Sequence, residues 1–202
     1  MASKTRTTPR KLPQQDRSKV TVEAILIATA HILTQFGYEK ANTNRIAELA
    51  GVSIGSLYQY FPNKEALVTA LAQQHVNTMM EIIESKLKDS SEAPIEVILH
   101  ELVKACIAAH AIDPILHKVL SEQVPRINNT NIEERVTALL RTYLEKKCDQ
   151  IQPQNLDLAV FILVRTVEAL THAAVIERPE LLSNGQLEQE ITNFLSSYFV
   201  NA

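Results

Sequence analysis

The sequence predicts an all-α fold of about nine helices, and three observations carry that expectation. Glycine (4) and proline (8) are scarce among 202 residues and tryptophan is absent, so turns are few. Apolar residues make up 46% of the chain. They recur every three or four positions, the period of a helix, and no stretch alternates as a strand would.

Residues 1–17 read as a basic, disordered arm, with Lys4, Arg6, Arg10 and Lys11 spaced around Pro9 and Pro13. Such an arm is either a solvated tail or a segment that enters a DNA minor groove. From about Ser18 to Phe36 the series Val22, Ile25, Leu26, Thr29, Ile32, Leu33, Phe36 marks an amphipathic helix. Gly37 stops it, and Tyr38 is expected to fold back on it. Two short helices follow at about 43–50 and 54–60. Pro62-Asn63 breaks the chain, and Asn63 caps a long helix from Lys64 to about Lys88.

Pro94 opens a helix to about Ala111, and Asp113-Pro114 is a cap followed by a first-turn proline. That next helix ends before Pro125. Asn128-Asn129-Thr130-Asn131 reads as a loop, and Val136, Leu139, Leu140, Tyr143 and Leu144 mark a helix reaching about Gln150. A helix from about Pro153 to Glu177 is apolar almost all round, which predicts burial on more than one side. Leu163, Val167, Leu170 and Ala174 share one face, expected to line its own core. Ile162, Thr166, Ala169 and Ala173 share another, small enough for close approach by a second helix. A last amphipathic helix carries Leu187, Ile191, Phe194, Leu195 and Tyr198. Paired with its neighbour, it suggests a two-fold dimer built as a four-helix bundle, with Ile162, Thr166, Ala169, Ala173, Phe194, Leu195 and Tyr198 at the interface. The alternative is a fully internal helix of a monomer.

The charge is unevenly placed. Through Pro62 there are eight Lys or Arg against four Asp or Glu, a balance of +4; beyond it there are 12 against 19, or −7. A basic N-terminal third on an otherwise acidic chain is the footprint of a module that meets phosphate. Cys106 and Cys148 stand alone in apolar helical patterns, with no C-x-x-C spacing, so a reducing cytoplasm and no metal are expected. No apolar leader is visible at the start, and the longest uninterrupted apolar run, Ala159 to Val164, is far short of a membrane span.

The richest stretch is Ala50-Gly51-Val52-Ser53-Ile54-Gly55-Ser56-Leu57-Tyr58-Gln59-Tyr60-Phe61. Gly51 supplies a left-handed residue that ends one short helix, Val52 fills the angle, and Ser53 caps the next. Only Leu57 and Phe61 are needed inside. Gly55, Ser56, Tyr58, Gln59 and Tyr60 therefore present a small, polar and aromatic surface, as the reading helix of a helix-turn-helix does.

The string Thr43…Ile46-Ala47…Ala50-Gly51-Val52-Ser53…Gly55…Leu57-Tyr58…Tyr60-Phe61…Lys64-Glu65…Leu67 closely resembles the signature of the tetracycline-repressor-like family of bacterial regulators. The resemblance covers residues 18 to about 70. It implies a DNA-binding helix-turn-helix domain at 18–63 and a helical effector-binding and dimerisation domain at 64–202. It also implies a homodimer on a palindromic operator, released by a small molecule. By the family pattern Asn44, Ile54, Gly55, Ser56 and Tyr58 face base edges, while Thr43, Tyr58, Tyr60 and Lys64 match phosphate contacts. Asn44 suits adenine, Ser56 either kind of base, and Ile54 a thymine methyl. Thr43 also fits as a plain helix cap, and Lys64 as an ordinary surface charge.

An effector pocket is expected among the helices after residue 64, where His75, Met79, Cys106, His110, Leu116 and Tyr143 meet the Pro153 helix. Arg165, Glu168 and His172 fall on one side of that helix, where they either bind a polar ligand group or form an ion pair between helices or protomers. No cofactor is implied. No phosphate loop, G-x-S-x-G or clustered His/Asp/Cys motif is present, which argues against an enzyme. A helix-turn-helix protein without small-molecule sensing is the alternative function.

Overall fold

The computed structural model describes residues 16–89, 92–123 and 130–200. The predicted arm lies outside them apart from its last two residues, as do Asn128 and Asn129, while Thr130 and Asn131, expected in a loop, begin a helix instead. Among the described residues there are nine α-helices and no strand: α1 Asp16–Lys40, α2 Thr43–Leu49, α3 Ile54–Tyr60, α4 Lys64–Asp89, α5 Ile95–Ala111, α6 Pro114–Gln123, α7 Thr130–Glu145, α8 Leu156–Glu177 and α9 Gln186–Phe199. The expected all-α class and helix count are those observed.

Local chemistry accounts for most of the boundaries. Gly37 takes φ 75°, breaking the regular helical path of α1 where the sequence predicts a stop. Asn63 Oδ1 accepts from the Ala66 amide at 2.8 Å and so caps α4. Two boundaries differ from expectation. α7 ends at Glu145, and the chain tightens into a 3-10 turn at Cys148–Gln150 instead of extending the helix. α8 begins at Leu156 because Asn155, not Pro153, supplies the cap: its Oδ1 accepts from the Leu158 amide at 3.1 Å.

The chain divides into two compact units. Of the described residues, one unit holds those up to His75 together with 115–123; the other holds those within Val76–Pro114 and 130–200. The sequence boundary at 63/64 marks a break in helix, whereas packing puts the division inside α4. The reason is visible in burial. Ala66, Leu67, Val68, Leu71 and Ala72 of α4, with Leu116 and Leu120 of α6, join Ile25, Leu33, Ile46, Leu57 and Phe61 in one apolar cluster.

In the second unit α5 packs against α8 and α9, and α7 against α8. Ile98, Leu99, Leu102, Val103, Leu140, Leu144, Leu163, Val167, Ile191, Leu195 and Phe199 share its core. The inner stripe of α8 departs from expectation at one position: Leu163, Val167 and Ala174 are buried, but Leu170 is 42% exposed and Thr171 takes the inner place. Thr171 fits there because its hydroxyl donates to the Val167 carbonyl at 2.7 Å, so its own oxygen is not left unsatisfied. α1 and α8 are also each long and apolar enough on average to cross a bilayer, which the short uninterrupted run conceals. Both nevertheless supply buried residues to a unit's core.

Gly51 sits at φ 67°, with open space where a Cβ would be. Substitution there therefore costs backbone strain and nothing else. Gly51→Ala is expected to lower stability by about 1 to 2 kcal/mol and Gly51→Asn by less, because Asn tolerates the left-handed region. Urea midpoints for the two variants check the order.

Candidate functional site

The turn between α2 and α3 is built from backbone bonds and two side-chain caps. Asn42, not Thr43, caps α2, its Oδ1 accepting from the Arg45 amide at 3.0 Å. At the other end the Ala50, Gly51 and Val52 amides donate to the Ile46, Glu48 and Ala47 carbonyls at 2.9, 3.1 and 3.0 Å. Ser53 Oγ then accepts from the Ser56 amide at 3.0 Å and caps α3. Leu57 and Phe61 are buried, and Ile46 and Ala47 with them.

Freed of the cap, Thr43 has another role. Its Oγ1 lies 2.9 Å from the Tyr58 hydroxyl, which places the start of α2 beside the middle of α3. Asn44, next to it, is exposed. On α3, Ile54, Gly55, Tyr58 and Gln59 are exposed, while Ser56 and Tyr60 are half-buried. Ser53 and Ser56 also share a hydroxyl–hydroxyl bond at 2.8 Å. Two oxygens sharing one bond leave one hydroxyl proton for an outside acceptor.

Gly55 is informative for a different reason. It lies inside a helix, where glycine costs stability, and an added Cβ would meet only Ser53 Oγ at 3.9 Å. Nothing within the fold demands the missing side chain. The bare backbone is open to close approach from outside.

Lys64 is half-buried and engaged. Its Nζ donates to the Tyr38 carbonyl at 3.0 Å and stands 4.0 Å from the centre of the Tyr38 ring. The Tyr38 hydroxyl reaches Glu65 Oε1 at 3.4 Å. Tyr38 therefore engages the first turn of α4 rather than only folding back on α1, and Lys64 ties the end of α1 to the start of α4. Arg45 is an exposed cation on α2 absent from the sequence-derived set, its guanidinium 4.3 Å from the centre of the Phe36 ring. The pairing of a cation here with an aromatic just before the helix-ending glycine was its available signal.

In the second unit the five effector candidates do not form one cluster, but two of them, His110 and His172, meet. His110 is buried and donates Nδ1–H to the Cys106 carbonyl at 2.7 Å, and His172 stands edge-on to it with ring centres 5.2 Å apart. Tyr143 is half-buried against the core. Arg165 and Glu168 form a half-exposed pair within α8 at 2.9 Å, not one between helices. Of the expected pairing face, Ala169 and Phe194 are exposed and Ile162, Thr166, Ala173 and Tyr198 half-buried. Leu195 faces inward and is fully buried in its own core. The most exposed apolar side chains of these helices include Leu158 and Phe161 on α8 and Phe194 on α9, at 50%, 57% and 55%.

Burial pushes the Cys106 thiol up to about 12, with the Glu168 carboxylate adding to the shift. Burial also lowers the pKa of His172, against an opposing pull from Glu168. A depressed histidine binds its proton less readily folded than unfolded. Its contribution to stability is therefore complete above the ordinary value of about 6.5 and is lost as pH falls below it. Denaturant midpoints at pH 7.5 and 5.5 should fall further for the wild-type chain than for His172→Gln.

Residues 25–71 match the family model described as bacterial regulatory proteins, tetR family, and residues 94–199 match the tetracyclin repressor-like C-terminal domain. The fatty acid metabolism regulator protein of Bacillus subtilis is 25% identical over 120 residues, 59% of this chain and 60% of that protein. RutR of Escherichia coli is 48% identical over 52 residues, 26% of this chain and 24% of its own length. The chain thus spans about three-fifths of the first of these curated relatives. Among solved structures, the fatty acid degradation regulator FadR of Bacillus halodurans superposes with a TM-score of 0.70 at 23% identity, covering 91% of this chain and 96% of that one. SmeT, the repressor of the Stenotrophomonas maltophilia multidrug efflux pump SmeDEF, gives 0.67 at 21%, covering 90% and 93%. A DNA-reading module and a C-terminal domain of one family's type, the latter spanning over half of the chain, leave one assignment: the chain belongs to the tetR family of bacterial regulators, which are transcription regulators and not enzymes.

Proposed function

We propose that the chain is a cytoplasmic repressor that binds a two-fold symmetric operator as a homodimer and releases it when a small molecule enters its second unit. The observation that carries the DNA reading is the outward surface of α3 with Asn44 beside it. A glycine with no packing duty, a hydroxyl pair with a spare proton and an exposed aliphatic together fit base edges in a major groove. Ile54 contributes apolar contact, best directed at a thymine methyl. Thr43, Tyr58, Tyr60 and Lys64 serve the phosphates, with Arg45 as an added cation, and the +4 balance of the first 62 residues draws the module to DNA.

The exposed Leu158, Phe161 and Phe194 support a pairing surface between copies of the chain, since apolar side chains grouped on two neighbouring helices are costly to leave in water. Two copies would set two reading helices about 34 to 36 Å apart, one turn of DNA. An effector with a large apolar part suits the aliphatic second core. The relatives named for fatty acid regulation, and the structure of SmeT with triclosan, support the same class.

Four measurements test this reading. Asn44→Ala and Ser56→Ala should each cost about 1 to 3 kcal/mol at one operator position and relax its base preference, whereas Lys64→Ala should weaken operator and random DNA alike and flatten the salt slope by about one unit. Equal losses on both DNAs for all three variants would refute the assignment of base readers. Gly55→Ala should raise the stability of the free protein by up to about 1 kcal/mol and still weaken operator binding at least tenfold. Phe161→Glu should convert a dimer to a folded monomer in sedimentation; an unchanged mass would remove α8 from the pairing face. A ligand that raises the melting temperature must also lower operator affinity, because linkage is reciprocal. A stabilising ligand without that effect would favour a DNA binder that does not sense.

A further inference from the structure

We propose that the second unit holds a binding site for a divalent first-row transition-metal ion between α5 and α8, with His110 and His172 as ligands and Glu168 completing a two-histidine, one-carboxylate set. The proposal is independent of the operator reading, because its readout is metal on the folded chain.

The geometry begins with His110. Its Nδ1–H donates to the Cys106 carbonyl at 2.7 Å, so the proton is held on that nitrogen and the lone pair stands on Nε2. A ring N–H fixed by a backbone carbonyl is the second-shell arrangement that orients metal-binding histidines. His172 faces it from α8, ring centres 5.2 Å apart and planes at 73°, and the candidate ligand nitrogens of the two lie within 4.8 Å of each other. Two nitrogens on one tetrahedral zinc, each at about 2.0 to 2.1 Å from the metal, are about 3.3 Å apart. Small side-chain rotations close that gap.

Glu168 lies four residues before His172, one turn away on the same side of α8. Its carboxylate now pairs with Arg165 at 2.9 Å, and both side chains are about half exposed. An exposed pair of this kind is weak, so a dication can draw Glu168 away from it. Cys106 stays outside the set, because its part is played by its carbonyl, which orients His110. Half-buried His172 supplies the way in.

Cobalt(II) titration of the chelator-treated full chain, followed by visible absorption and competed with zinc, tests the site. One equivalent per chain is expected, with a d–d band of low-coordinate cobalt and no thiolate charge-transfer band. His172→Ala and Glu168→Gln, both at positions exposed enough to spare the fold, should weaken binding at least tenfold, with helical circular dichroism unchanged. Arg165→Ala should tighten it about two- to fivefold by releasing Glu168. His100→Ala is the control, since His100 forms a separate pair with Glu188 at 3.5 Å, and should leave binding unchanged. Failure of the folded chain to take one equivalent, retention of full affinity by His172→Ala, or loss of binding in His100→Ala would overturn the proposal.

Discussion

The angle between α2 and α3 is the constraint on which the rest of the first unit depends. Ile46 and Ala47 on one helix and Leu57 and Phe61 on the other are all buried in a single cluster. With so few inward residues on two seven-residue helices, neither would persist alone, because short helices are marginal in water. Their stability comes from the cluster that α1, α4 and α6 complete. Gly51 makes the angle possible, and the Ser53 cap starts α3 at the right residue. A reading surface is thus obtained from residues that contribute almost nothing to folding, while the folding residues are hidden beneath it.

That separation explains why the motif was so legible in the sequence. Caps and left-handed glycines act within four residues, and Ser53, Asn63, Gly37 and Gly51 all do what their neighbours imply. What was less legible depends on competition between neighbouring caps, on bonds a side chain makes to its own helix, and on partners distant in sequence. Asn42 takes the cap of α2, and Thr43 is then drawn to Tyr58, fifteen residues on. Leu170 and Thr171 exchange the roles that hydrophobicity alone assigns them, because a threonine that bonds its own helix backbone is no longer a polar burden. The division within α4 follows from which core its first three turns enter, and helix punctuation carries no record of that. Leu195 was placed by pattern on an outer face, while the core of its own unit claims it.

The polar groups of the candidate interface are paired before any partner arrives. Thr43 with Tyr58, Ser53 with Ser56 and Lys64 with the Tyr38 carbonyl each hold a side chain in place. All but the last are exposed pairs, and exchanging such a bond for one to a base or phosphate costs little net energy. Holding the rotamers beforehand lowers the ordering entropy that binding would otherwise lose. Lys64 differs, since its bond joins the end of α1 to α4. Its contribution to DNA affinity and its contribution to the fold are therefore coupled through one ammonium group with three donors.

α8 carries three demands on one helical period. Leu163, Val167, Thr171 and Ala174 face the core; Leu158, Phe161, Ala169 and Ile176 face outward; Glu168 and His172 lie on one flank of the outward stripe. A group bound at that flank touches a helix that is packed against both α5 and α7. The core side is close-packed and resists deformation, so a pull on His172 or Glu168 is met mainly by the exposed side chains nearby, Arg165 first. Phe161 lies one turn before Arg165, its ring centre 5.8 Å from the guanidinium carbon. Anything that frees Arg165 from Glu168 therefore alters the polar edge of the same apolar stripe that the proposed dimer uses.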